Sequence, residues 1–469
     1  MKVNNSIWSM MYIKSTKKYW QEDEGNIWTR IKAPVDTLKE IIPIANKIGV
    51  TRVSDITHMD KLQIPNFSAV LPGTEDSIWV YSGKGPTKLQ AMAGALMESI
   101  ERYCSLSSNN RDIIIQGTYP ELSRIYKKVL HPGEVVEPVE PSFNDQDSIA
   151  DFVRGYDLIT NEEVLVPAQL VFSKYTPAYP STMLFPYSHT NGLASGNVLE
   201  EAICHALFEV IERDAVSIAE LSASSIPYTI LTKISNFFES EEKNFLVNLE
   251  NKFIDDSSIF PDVDITEIAR EFDAIKFLVE RFAKVGINLL VKNITQDIGI
   301  PTFVASSVEW VTSDYGYFAK GYGTHLDARI ALSRAITELS QTRAANIQGA
   351  RDDLKKIKYS EDDQINKRKW EFMSALSTNN IKKRIMFSEI KTRVNRDIRD
   401  DINCILKSLK RSGLKRAIIV NLTNPHVGIP VVRAVVPGLE TFEVAKLYTE
   451  TNLCMGNRAR KHFRSTLRD

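Results

Sequence analysis

Residues 89–102 read Leu-Gln-Ala-Met-Ala-Gly-Ala-Leu-Met-Glu-Ser-Ile-Glu-Arg, and residues 200–213 read Glu-Glu-Ala-Ile-Cys-His-Ala-Leu-Phe-Glu-Val-Ile-Glu-Arg. In register the two share Ala91/Ala202, Ala95/Ala206, Leu96/Leu207, Glu98/Glu209, Ile100/Ile211, Glu101/Glu212 and Arg102/Arg213. A weaker third copy, at 331–343, keeps Ala331, Ala335, Ile336, Glu338 and Gln341. Only Gly94 interrupts the apolar pattern, so the spacing predicts three helices. Residues three and four apart share a helix face. Glu98, Glu101 and Arg102 therefore project together, and so do Glu209, Glu212 and Arg213.

A glycine-bearing stretch precedes each copy: Ser82-Gly83-Lys84-Gly85-Pro86, then Asn191-Gly192-Leu193-Ala194-Ser195-Gly196-Asn197, then Gly321-Tyr322-Gly323. Read as loops, these let the backbone approach a ligand, and a helix N-terminus favours anions. Clustered carboxylates suit Mg²⁺, a hard cation that takes oxygen ligands and accompanies phosphates. Spacing alone leaves two readings open. One is a solvated helix edge with an internal ion pair, because charged residues are mostly exposed. The other, favoured by the repetition, is a Mg-nucleotide site. It would be built without a P-loop or a dinucleotide fingerprint, since neither G-x-x-x-x-G-K-[ST] nor G-x-G-x-x-G occurs here.

Composition narrows the class. A chain of 469 residues ordinarily divides into two or three domains, and 43% hydrophobic with 25% charged residues is a globular balance. A formal charge of −1 argues against a general nucleic-acid binder. No apolar run approaches the roughly 18 residues of a membrane span, and Met1-Lys2-Val3-Asn4-Asn5 lacks a secretory h-region. Cys104, Cys204, Cys404 and Cys454 are scattered with no C-x-x-C pair, which speaks against structural zinc and for a reducing cytoplasm. Cys204 is expected to be packed rather than reactive.

Along the chain, residues 1–30 read as an irregular arm, and Asp36 to Ala45 as a helix that Pro43 threatens to cut short. Strands are expected at Thr51–Val53, Ile64–Leu71, Ile78–Tyr81, Ile113–Ile115, Gly286–Ile294, Phe303–Val311, Arg416–Val420 and Pro430–Val436. Phe152 to Phe172 alternates apolar and polar residues, with Asn161-Glu162 at a hairpin turn. Residues 228–285 read as helical and connecting. About 351–395, including Lys382-Lys383-Arg384, reads as a solvated polar helical insertion. His189 is a candidate substrate contact or, alternatively, a satisfied structural histidine. Lys84 either meets phosphate or is a solvated turn residue.

Several of these blocks together resemble the YcaO family of ATP-dependent enzymes that activate a peptide amide. They are Ser-Gly-Lys-Gly, Ala-Leu-Met-Glu-Ser-Ile-Glu-Arg, Thr-Asn-Gly-Leu-Ala-Ser-Gly-Asn, Glu-Glu-Ala-x₆-Glu-x-x-Glu-Arg-Asp, Arg-Ala-x-x-Glu-x-x-Gln-x-Arg and Pro437-Gly438-Leu439-Glu440. They occur in the family's order from about residue 30 to 440. Gly49-Val50-Thr51-Arg52-Val53-Ser54-Asp55 and Met92-Ala93-Gly94-Ala95-Leu96-Met97-Glu98 are most similar to the methanogen branch. That branch is associated with glycine thioamidation in the alpha subunit of methyl-coenzyme M reductase.

The resemblance implies an α/β fold of internally repeated units, a homodimer, and helices lining a Mg-ATP site. It implies an arm at 1–30, the ATP-binding region at 31–446 and a basic tail at 447–469. Magnesium would fall to Glu98, Glu101, Glu209 and Glu212. Nucleotide contacts would fall to Asn197, Glu201, Arg213, Arg334 and Glu338, with Gln341 on the same face and Arg30, Thr37 and Lys84 as looser matches. Glu101 and Arg102 could instead hold two repeats together. Arg213 and Arg334 would stabilise charge on a transferred phosphoryl group. The expected chemistry is O-phosphorylation of a peptide amide with sulfide addition, a TfuA-like partner or free sulfide supplying sulfur. The rivals are an azoline-forming cyclodehydratase, whose proline-rich C-terminus is missing from Arg464-Ser465-Thr466-Leu467-Arg468-Asp469, and a non-catalytic ATP-binding scaffold.

Overall fold

The computed structural model describes residues 13–19, 29–73, 79–137, 139–177, 180–220, 260–310, 316–348, 384–441, 444 and 456–459. In chain order its helices are α1 (Pro34–Ile48), α2 (Lys88–Cys104), α3 (Tyr119–Ile125), α4 (Leu199–Glu220), α5 (Ile268–Glu271), α6 (Asp273–Val285), α7 (Ala328–Gln348) and α8 (Ile398–Arg411). The first strands are β1 (Arg52–Asp55), β2 (Asn66–Val70), β3 (Val80–Lys84), β4 (Ile115–Gly117), β5 (Ala150–Asp157), β6 (Glu162–Pro167) and β7 (Leu193–Ser195). The later ones are β8 (Asp262–Asp264), β9 (Asn288–Asn293), β10 (Thr302–Trp310), β11 (Gly316–Thr324), β12 (Arg384–Met386), β13 (Ile418–Asn421) and β14 (Val431–Val435).

The fold is α/β. Three sheets run β1-β2-β3, β11-β10-β9-β8-β12 and β4-β5-β13-β14-β7, with β6 also on β5. Among the described strands all pairings are antiparallel except β8 with β12. Asn161, at φ +57°, turns the β5–β6 hairpin. The three repeat stretches are α2, α4 and α7, and each buries its apolar stripe in a separate core. Ala95, Leu96 and Ile100 pack with Phe152 and Val420. Ala206, Leu207 and Ile211 pack with Ile402 and Ala434, and Ala335 and Leu339 with Phe282 and Phe303. Burial of each such large side chain is worth about 1.5–3 kcal/mol, so the stripe anchors the helix and leaves its charged face for the centre.

Three of the glycines before the repeats do a different job from the one their spacing suggests. Gly83, Gly321 and Gly323 lie inside strands, not loops. A Cβ on Gly83 would stand 2.0 Å from the Ala91 carbonyl oxygen and 2.2 Å from the Ala95 nitrogen; one on Gly321 would stand 2.0 Å from the Leu339 nitrogen. These glycines let each strand lie directly on the helix that follows it.

The units close into a ring. Ser82 of β3 meets Gln341 of α7, Ser195 of β7 meets the Met97 carbonyl of α2 at 3.3 Å, and Tyr322 of β11 meets Glu220 of α4 at 3.4 Å. Each repeat's strand thus touches the helix of the preceding repeat, and the three charged faces turn inward.

Other expectations change. Helix α1 runs through Pro43 to Ile48, because Pro43 sits on the exposed face where water can take the carbonyl it leaves unpaired. Residues 384–395 hold β12 and a 3₁₀ turn rather than helix, while 349–383 lie outside the described residues. Of 228–285, residues up to 259 lie outside them, and Asp262–Asp264 is a strand that pairs with Arg384–Met386. The arm is fastened at 14–18: Lys14 N donates to Glu200 at 2.9 Å and Lys18 pairs with Asp401 at 2.5 Å. The tail is fastened at 456–459, where Glu440 accepts from the backbone nitrogens of Gly456 and Ala459, each at 2.8 Å.

Candidate nucleotide and metal site

Three helices supply the centre of the ring, and helical spacing brings their polar residues onto one wall each. Thr87 caps α2 in a reciprocal box with Gln90, which fixes where that helix starts. Helix α2 carries Glu98, Glu101 and Arg102, α4 carries Glu201, Glu209, Glu212 and Arg213, and α7 carries Arg334, Glu338 and Gln341.

Glu98 has both oxygens occupied, accepting from the Ser82 nitrogen at 3.2 Å and from Arg102 at 3.3 Å. Its counterpart Glu338 accepts from the Tyr322 nitrogen at 3.3 Å and from Lys84 Nζ. Lys84 is therefore a cross-repeat partner rather than a solvated turn residue. Glu101 is touched by Ser195 Oγ at 3.5 Å, and Glu212 Oε2 is buried without a hydrogen-bond partner.

The electrostatics follow from this enclosure. Burial pushes Glu101 well above the usual carboxylate range, Arg102 pulls it back, and Glu209 and Glu98 push it further. Burial also raises Glu209, against the pull of Arg213 and Arg102. Glu212 is pushed up to about 7 by burial and then by Glu338, with Arg334 and Arg213 opposing. Burial acts on Glu338 the same way, but Lys84 and Arg213 overrule it and hold that carboxyl below its ordinary value. Carboxylates desolvated in this way gain from a nearby cation, and the bare Glu212 oxygen fits one. Among the described residues no three His, Cys, Asp or Glu side chains converge to hold a metal unaided. The set fits Mg²⁺, which is ordinarily held by one or two carboxylates plus phosphate oxygens.

The looser matches also assemble. Thr37 Oγ1 donates to Asn197 Oδ1 at 2.9 Å, and Asn197 donates to Glu201 from its backbone nitrogen at 2.8 Å and from Nδ2 at 2.9 Å. Glu201 also accepts from the Ile31 nitrogen at 2.5 Å, seating Arg30, whose guanidinium is 3.6 Å away. Arg30 and Arg334 converge on His205, at 3.2 and 3.1 Å. His205 was not among the sequence candidates. Its signal was available, since it stands four residues after Glu201 and four before Glu209 on the same face.

His189 stands apart from this wall as a structural residue. Its Nδ1 accepts from Arg433 at 3.0 Å and from the Asn191 nitrogen at 3.2 Å, leaving the ring proton on Nε2 for Glu137 at 3.2 Å. Cys204 is buried on α4, and burial raises its thiol pKa. Cys104 is likewise buried, and its thiol is pushed up to about 12. Among the described residues no helix is long and apolar enough to cross a membrane.

An uncharacterized protein of Methanothermobacter thermautotrophicus is 35% identical over 418 residues, 88% of this chain and 95% of that one. An uncharacterized protein in the tfuA 3′ region of Rhizobium leguminosarum bv. trifolii is 28% identical over 417 residues, 88% of either chain. The structure of YcaO from Methanopyrus kandleri bound with AMPPCP and Mg²⁺ is similar, with a TM-score of 0.63 at 20% identity over 94% of this chain and 98% of that one. A heterocyclase in complex with substrate and cofactor has a TM-score of 0.66 at 21% identity over 92% of this chain and 55% of that one, so this chain spans little more than half its length. At those identities the structures speak to the fold alone, which is the α/β one described. Residues 82–440 match the family described as YcaO cyclodehydratase, ATP- and Mg²⁺-binding. This chain belongs to the YcaO family.

Proposed function

We propose that the chain is an ATP-dependent peptide thioamide synthetase acting on a glycine of the methyl-coenzyme M reductase alpha subunit. The observation that carries the ATP chemistry is the enclosure of Glu101, Glu209 and Glu212 with Arg213, Arg334 and Lys84 at the centre of one ring. The relative in a tfuA 3′ region and the methanogen relative support sulfur exchange as the outcome.

An amide carbonyl is a poor electrophile, so exchange of oxygen for sulfur needs activation. Hydrosulfide adds to the carbonyl carbon, and the resulting oxyanion takes the γ-phosphoryl group of ATP, releasing ADP. Loss of inorganic phosphate and of the S–H proton then leaves C=S. Glu101, Glu209 and Glu212, with Glu98 beside them, would hold Mg²⁺, which neutralises triphosphate charge. Arg213 and Arg334 stabilise the charge on the phosphoryl group in flight. The buried Cys104 and Cys204 thiols are poor sources of thiolate, so sulfur arrives from outside, from sulfide or a TfuA-like partner.

The family description favours a second reading, azoline formation by cyclodehydration. One experiment separates them. ATP, sulfide and a glycine-containing reductase-derived peptide, with and without a TfuA-like partner, should yield a product about 16 Da heavier, oxygen replaced by sulfur. A product lighter by one water gives the azoline reading. An unchanged peptide under both conditions, with ATP still bound, leaves a scaffold.

A further inference from the structure

His205 occupies the second-repeat position that corresponds to Gly94 in the first and Arg334 in the third. Gly94 packs against Gly83, so only the second and third copies send a side chain inward from this place. The His205 ring lies between two guanidinium groups, with Nδ1 at 3.2 Å from Arg30 and Nε2 at 3.1 Å from Arg334. Burial and the charges of Arg334 and Arg30 keep the ring neutral. A neutral imidazole offers one acceptor nitrogen and one N–H, whereas guanidinium nitrogens only donate. One of the two contacts is therefore a hydrogen bond and the other sets donor against donor. An anionic oxygen between ring and guanidinium would accept from both and remove the conflict.

Resting on the Mg-ATP reading above, we propose that His205 is a further nucleotide-binding residue. It accepts a hydrogen bond from one arginine and gives its single N–H to a phosphate oxygen held between the ring and the other arginine. The surroundings suit that ligand. Glu201 is engaged by the Ile31 nitrogen and by Asn197, so it seats Arg30 without fully neutralising it. Lys84 and His325 add to the field at the ring. The role differs from that of Arg334, because the imidazole contributes direction rather than charge.

Calorimetric titration of Mg-ATP into wild type, H205F and H205Q tests this, with phosphate release measured alongside. Phe keeps the ring shape without nitrogens, and its Kd should rise about tenfold, the loss of one hydrogen bond to a charged group. Gln, with an acceptor oxygen and a donor NH₂ group, should restore Kd to within about threefold of wild type. H205F binding Mg-ATP as tightly as wild type overturns the proposal, as does a loss confined to kcat or melting temperature. If H205F does not fold, the wild-type imidazole ¹⁵N resonances decide: they shift on Mg-ATP addition if His205 meets phosphate, and unmoved resonances overturn the proposal. Wild type that takes up no Mg-ATP overturns the nucleotide reading itself.

Discussion

Gln341 donates from Nε2 to the Ser82 carbonyl at 2.6 Å, joining the third repeat helix to the strand that opens the first repeat. Glu98 accepts from the nitrogen of the same Ser82. Side chains from two helices thus satisfy both polar groups of one residue on the edge strand β3, where an unpaired backbone group would be costly. The first two repeats carry Glu101 and Glu212 at the position of Gln341, and a carboxylate there could not donate. The departure of the third copy from the Glu-x-x-Glu pattern supplies this contact between α7 and β3, beside the Lys84–Glu338 pair.

Glu209→Gln should abolish phosphate release while leaving the fold intact. Glu209 is desolvated, and its carboxyl is raised by burial despite Arg213 and Arg102, so the folded chain gains nothing from its charge. A melting temperature at or above that of wild type, with no phosphate released in a coupled assay, is the expected result. Normal turnover would remove Glu209 from the chemistry.

Gly83→Ala should be far more damaging than Gly286→Ala. The first places a methyl group 2.0 Å from the Ala91 carbonyl oxygen, backbone that cannot give way, whereas the second meets nothing within 4 Å. We expect a loss of more than about 3 kcal/mol or insoluble protein for Gly83→Ala, the penalty of overpacking against backbone. Gly286 has φ +69°, and alanine there should cost about 1–2 kcal/mol in left-handed strain. Comparing urea midpoints checks the order.

Arg458→Met should destabilise by about 3–5 kcal/mol, the cost of leaving a buried carboxylate unpaired. Arg458 reaches the two oxygens of the fully buried Asp214 at 3.0 and 2.9 Å and extends to Asp297 at 2.6 Å. Adding Asp214→Asn should recover part of the loss, because the uncompensated charge goes with it. Urea denaturation of both single variants and the double variant gives the coupling; additive losses would mean the pair does not interact.

The stability gap between wild type and His189→Gln should narrow as pH falls from 7.5 to 5.5. Burial holds His189 below its ordinary value of 6.5, with Arg433 adding and Glu137 opposing. Below that pH the unfolded chain takes up a proton that the folded chain refuses, so the contribution of the neutral ring is complete above about 6.5 and drains away as pH drops. Glutamine does not titrate and loses nothing by this route. Thermal melts at matched ionic strength test it; a constant gap would mean that His189 protonates equally in both states.

Much of the candidate site was legible before folding, for a local reason. Helical periodicity dictates that Glu98 and Glu101, or Glu209 and Glu212, share a face, and that arithmetic needs no partner. Alternation placed the β5–β6 hairpin in the same way. Gly83, Gly321 and Gly323 were misread as loop glycines because a backbone that must approach a ligand and one that must approach a helix call for the same residue, and sequence does not name the neighbour. His205 escaped notice because a histidine on a helix face is unremarkable until two arginines, one of them 175 residues away, converge on it.

The sequence by itself determined that three amphipathic helices exist, which of their faces are charged, and that two carry Glu-x-x-Glu-Arg. It also carried the family, through several blocks in order along the chain. The tertiary structure alone decided that the three repeats close in a ring, with β3 against α7, β7 against α2 and β11 against α4. It decided which carboxylates are occupied, as in Glu98, and which is left bare, as in Glu212. The physical reason is range. Periodicity is set by bonds along the chain, whereas the desolvation and like charge that lift Glu212, and the Lys84 and Arg213 charges that lower Glu338, arise only when elements distant in sequence enclose the same space.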